Sequence, residues 1–179
     1  TADLVALVRA LPVGTCVCSN GGMLAAHLHS VNVTWEQIVH DQTLKTYEVG
    51  EVHVIERPWH LFQYSAEAIL FAERHIRTLR RSMPLDSTVQ VLGTHDIFLE
   101  EGATVHFCSL NATDGPIYIG RHAEVMEGAH IRGPFALGDF SKVRMGAKIY
   151  GATAVGKHCK VGGEVGESVI QDYTNKAHD

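Results

Sequence analysis

Aliphatic residues recur at every sixth position through the second half of the chain. Ile119, Val125, Ile131, Leu137, Val143, Ile149, Val155 and Val161 occupy one grid without a miss. Four residues after each stand Ala123, Ala129, Phe135, Ser141, Ala147, Thr153, Cys159 and Val165, mostly small. A strand alternates with a period of two, so a period of six needs a strand of about four residues and a corner of about two. Three such units make a triangular coil of about 18 residues. Gly120, Gly138 and Gly156 recur at that longer spacing, where a corner needs positive φ or a close backbone approach. A coil of this kind buries its apolar side only against its neighbours, so several must stack. The pattern predicts a left-handed parallel β-helix of hexapeptide repeats over residues 96–179, with the aliphatic residues inward and the small ones completing the interior.

The grid slips twice. Leu99, Val105 and Ile117 lie two residues out of phase with Ile119, and the turn-rich stretch from Leu110 to Pro116 reads as a loop at a corner. After Val161 the spacing breaks again at Gly162-Gly163, leaving Ile170 three residues out of phase. Both slips are expected to be insertions projecting from corners, where ligand loops sit.

Residues 1–95 carry no repeat and read as an α+β part, an incomplete α/β domain ahead of the prism. Asp3 to Ala10 has a helical apolar face, ended by Pro12 and Gly14. Thr15–Val17 and Gly22–Leu28 read as strands around an Asn20-Gly21 turn. Thr34 is placed to cap a short helix running to Val39, and Glu51–Ile55 alternates as a strand. Ser65 caps an amphipathic helix with Ile69, Leu70, Ile76 and Leu79 inward, running to about Met83 before Pro84. Between the last two, Glu56-Arg57-Pro58-Trp59 has two readings. It lines a ligand groove, or Trp59 and Phe62 fasten the helix to the prism or the sheet.

Composition narrows the function. Hydrophobic content of 45% with 20% charged residues is that of a globular chain, and no apolar run is long enough for a membrane span. A net charge of −5 argues against a nucleic-acid partner. Cys16, Cys18, Cys108 and Cys159 show no CxxC spacing, so reduced thiols and a cytoplasmic location are expected. The chain begins at Thr1 without methionine and reads as a piece of a longer protein. Arg132, Arg144 and Lys148 protrude from the prism. They form either an anion-binding patch between subunits or a solvated face beside Asp139 and Glu164. Flat prism faces pack well in threes, so a homotrimer is expected.

Glu56-Arg57-Pro58-Trp59, the strings Gly115–Gly120, Glu124–Gly128, Ile131–Gly138 and Lys148–Gly151, and the closing Asn175-Lys-Ala-His-Asp179 carry a resemblance through much of the chain. It resembles the bacterial sugar nucleotidyltransferases with a C-terminal hexapeptide-repeat domain. These are relatives of the bifunctional uridylyltransferase/acetyltransferase that makes UDP-N-acetylglucosamine. The resemblance implies a transferase acting on a sugar phosphate or nucleotide sugar. In that family a Gly-rich loop holds the nucleotide and the catalytic Mg²⁺, and residues 1–95 contain no such loop. Mg²⁺ is therefore expected only with an N-terminal domain that this chain lacks, and the chain alone is expected to be inactive as a nucleotidyltransferase.

Asn175-Lys176-Ala177-His178 resembles, one residue shorter, the Lys-Ala-Gly-His string of the acetyltransferase branch. That implies His178 as the base that deprotonates an amine attacking acetyl-coenzyme A, and Lys176 as a phosphate contact. Arg144 and Lys148 are added as substrate-binding cations. The alternative function is a non-catalytic trimerisation scaffold. Some prisms of this kind hold zinc through histidines, but His106, His122 and His130 stand 16 and 8 residues apart, off any common coil position, so no metal is expected.

Overall fold

The computed structural model describes residues 2–29, 32–50 and 52–177. Two compact units divide the chain, Thr1–Val54 and Ile55–Asp179. The first unit opens with the helix Ala2–Arg9 and is built on the strand Thr15–Ser19. Gly22–His27 pairs antiparallel with that strand through Asn20 and Gly21, both at positive φ, which suits a two-residue hairpin. Thr34 caps the helix Trp35–Val39: its hydroxyl accepts from the Gln37 amide while the Gln37 side chain accepts from the Thr34 amide. Lys45–Glu48 then takes the free edge of Thr15–Ser19 in parallel register. The sequence pattern predicts a strand at Glu51–Ile55 instead. Within it, Val52–Ile55 carries no strand, and Glu51 lies outside the described residues. Edge pairing at long range, rather than local alternation, decides which segment becomes the strand.

The second unit contains a parallel β-solenoid of three five-stranded sheets, one strand of each per turn. Its first face stacks Gln90–Gly93, Ser109–Ala112, His130–Arg132, Lys148–Tyr150 and Glu164–Gly166. The second stacks Ile97–Leu99, Ile117–Ile119, Phe135–Leu137, Thr153–Val155 and Val169–Ile170. The third stacks Thr104–Val105, Glu124–Val125, Lys142–Val143, Lys160–Val161 and Asn175–Lys176. All eight aliphatic grid residues are buried, and so are all eight residues four places later, including Ser141 and Thr153. The Ser141 hydroxyl donates to the Gly156 carbonyl and accepts from the Cys159 amide, so this interior polar group is satisfied.

Turn length explains both slips. From Leu110 to Ile119 is nine residues, against six from Ile131 to Leu137, while Val105 to Leu110 is five against six from Val125 to Ile131, so three residues gained at one corner and one lost at another give the two-residue slip. The second slip is a shortening rather than the expected insertion. Val161 and Val165, inward on the third and first faces, are four residues apart, against six from Val143 to Ile149. Gly163, at φ +70, makes that tighter corner.

Parallel register carries each outward residue onto the same position of the next coil. The outward row Thr104, Glu124, Lys142, Lys160, Asn175 of the third face is polar, and so is the row Gln90, Ser109, His130, Lys148, Glu164 of the first, which runs beside a mixed row holding exposed Leu92 and Tyr150. The second face breaks this rule with Phe98, Tyr118, Ala136, Ala154 and Val169. The helix Ser65–Leu79 covers part of that row, with Ser65, Ile69 and Glu73 as its buried residues. The Ser65 hydroxyl donates to the Ala152 carbonyl at 3.0 Å, tying the helix start to the solenoid. This replaces the expected capping role, since Tyr64 holds the cap position. The helix also ends earlier than expected, at Leu79, which is 68% exposed instead of inward.

Gly120, Gly138 and Gly156 serve close approach, not positive φ. A Cβ on Gly138 would stand 2.5 Å from the Gly156 carbonyl carbon and oxygen. Gly146 differs: its φ is +69, with open space around it. Gly138→Ala is therefore expected to cost about 3 kcal/mol or more, through a backbone clash that no rotamer relieves. Gly146→Ala is expected to cost about 1 kcal/mol, the left-handed penalty alone. Urea unfolding of the two variants checks the order.

Candidate functional site

The third face ends in an open groove of about 540 Å³, lined by Met126, Lys142, Arg144, Met145, Lys160, Gly162, Gly163 and Ala177. Register builds it. Lys142 lies directly beside Lys160 of the next coil, and Arg144 follows two residues after Lys142 on the same coil. Gly162 has no side chain, and a Cβ there would stand 3.0 Å from Arg144 Cδ. The Arg144 stem therefore passes over it, and its guanidinium donates to Asn175 Oδ1 at 3.2 Å. Lys142 Nζ donates to Glu124 Oε2 at 2.6 Å. Lys160 has no ion-pair partner among the described residues. Two lysines opposite each other in a ladder repel, and only one has a carboxylate. The groove thus holds three cations, one of them paired, between two methionines. It can accept an anion of phosphate size.

The sequence-derived candidates fall in different places. Arg144 lines the groove. Lys148 does not: it lies on the first face, in register with His130 and Glu164, across the corner at Gly146. Lys176 occupies an inward position, in register with Val161, and its ammonium donates to the Gly162 carbonyl at 2.9 Å. It stands at the last inward position of the third face. His178 lies outside the described residues. Sequence reasoning missed Lys142 and Lys160, although their 18-residue spacing, on the coil period, was visible. Trp59 and Phe62 are exposed, and the groove does not include them. The Arg57 guanidinium lies 5.9 Å from the Trp59 ring centre.

The three histidines weighed as zinc ligands have separate surroundings. His106 Nδ1 stands 3.6 Å from Asp86 Oδ2. His130 Nδ1 is hydrogen-bonded to Ser109 Oγ at 2.6 Å, on an open sheet face. His122 starts an aromatic ladder on one corner. It stacks on Phe140, Phe140 on His158 and His158 on Tyr173, with ring centres 5.2, 5.0 and 5.0 Å apart. Among the described residues no group of three or more His, Cys, Asp or Glu is placed to hold a metal. The four cysteines are free, and burial pushes the Cys108 thiol up to about 11. No helix among the described residues is long and apolar enough to cross a membrane.

All four ladder residues have positive φ, between 52° and 62°. That strain, of order 1 kcal/mol each, is comparable to about 0.5–1.5 kcal/mol for each ring contact. Phe140 makes two of the three contacts. Phe140→Ala should keep the strain and lose the stacking, at a cost of about 1–3 kcal/mol. Phe140→Gly should recover about 1 kcal/mol of that loss by relieving φ. Denaturant unfolding that ranked Gly below Ala would contradict the strain argument.

No protein-family model matches the chain, and no curated protein matches it.

Proposed function

We propose that the solenoid is a left-handed hexapeptide prism serving as the ligand-binding module of a transferase, and that its groove takes the phosphate of a sugar phosphate or nucleotide sugar. One observation carries this reading: Lys160 lies beside Lys142 and Arg144 in a groove roomy enough for a sugar phosphate, with a single carboxylate to offset three cations. Arg144 and Lys160 take the phosphate-contact role that the resemblance implied for Lys176, whose ammonium is engaged by the Gly162 carbonyl. Acetyl-coenzyme A as acyl donor and His178 as base rest on the resemblance of Asn175-Lys176-Ala177-His178 to the acetyltransferase string. Nucleotidyl transfer with Mg²⁺ belongs to a further domain.

The scaffold reading draws on the first face, a five-stranded sheet with Leu92 and Tyr150 exposed among polar residues, a surface suited to packing in threes. Light scattering at three times the 19.6 kDa chain mass, without ligand binding, would favour it.

Calorimetric titration of glucosamine 1-phosphate and of UDP-N-acetylglucosamine into the full chain tests the groove. We expect binding by at least one of them, weakening with salt. Arg144→Ala and Lys160→Ala should each weaken it about tenfold or more, the scale of a charged hydrogen bond. Absence of binding by both, or binding unaltered in both variants, would contradict the proposal.

A further inference from the structure

We infer a second binding site, between the helix Ser65–Leu79 and the second face, for a small aliphatic molecule bearing a primary amine. A cavity of about 370 Å³ lies there, within the size range of small-molecule sites. Ile69 and Ile76 wall it from the helix, and Ala136, Ala154 and Val169 from the sheet. The small residues create the space, since larger side chains in the outward row would fill it against the helix.

Glu73 decides what the space takes. It lines the cavity and is 6% exposed, yet its Oε1 has no hydrogen-bond partner. Arg77 Nε approaches that oxygen only to 3.6 Å, too far for a hydrogen bond, and the Arg77 guanidinium is shared with Asp96. Tyr118, also in the lining, turns its hydroxyl away to donate to Glu100 at 3.1 Å. An apolar void needs no carboxylate, and leaving a buried acceptor unmet costs of order 1–3 kcal/mol. A terminal carboxylate torsion is soft, so either oxygen can turn toward the cavity. A ligand ammonium would supply the missing donors in charge-assisted form, while its alkyl chain lay along the alanines. A ligand carboxylate would meet Glu73 with like charge.

Calorimetric titration of the full chain with three probes tests this: n-hexylamine, n-hexyltrimethylammonium, which has the charge without a donor, and n-hexanoate. Hexylamine should bind with one-to-one stoichiometry, at least tenfold tighter than either of the others. Ala136→Leu, which fills the cavity, should abolish hexylamine binding. Glu73→Gln should weaken it at least tenfold. Equal affinity for the three probes, no binding of hexylamine, or binding unchanged in Ala136→Leu would overturn the site. The ranking on the unaltered chain stands even where a variant does not fold. The phosphate groove lies on another face, and its failure would leave this result untouched.

Discussion

In-register parallel pairing is the constraint on which the second unit depends. Once His130 pairs with Lys148 and Ile131 with Ile149, every side chain sits over its counterpart in the next coil, at a strand spacing of about 4.8 Å. Inward columns become continuous, and each fully buried Ile, Leu or Val contributes about 1.5–3 kcal/mol relative to exposure. The same rule fixes which outward residues meet, so Lys142 and Lys160 become neighbours, and so do Ala136 and Ala154.

Those outward rows divide the labour among the faces. The first face is mixed, with a polar row beside exposed Leu92 and Tyr150. The third gathers cations next to a corner where glycines leave room, and that combination of charge and space favours an anion. The second face is apolar and is covered by a helix whose buried surface includes a carboxylate. One repeat thus produces three chemically different surfaces, because the inward grid constrains only half of the positions.

Legibility in the sequence followed the range of the interaction. The inward grid could be read because eight hits repeat one local unit. Thr34 could be read because a capping box spans three residues. The strand Lys45–Glu48 could not, since it pairs at long range and has no alternation of its own. The helix Ser65–Leu79 was visible, but its orientation was not: Leu79 was expected inside, and Glu73, an ordinary polar residue in the sequence, is buried instead. The outward row Tyr118, Ala136, Ala154 was present in the sequence but masked by the stronger grid beside it. Of the cations singled out in the sequence, Arg144 lines the groove, Lys148 lies on the next face and Lys176 at the interior end.

A paired substitution tests most directly that register alone decides what each outward position tolerates. Thr104 and Ala154 are both outward strand residues, one on the polar third face and one on the row beneath the helix. Urea unfolding should place Thr104→Asp within about 1 kcal/mol of the parent chain, since the position is exposed. Ala154→Asp should cost about 3 kcal/mol or more, because its carboxylate would enter the covered row beside Glu73 without a partner. Equal effects of the two aspartates would contradict the covered second face and the register that creates it.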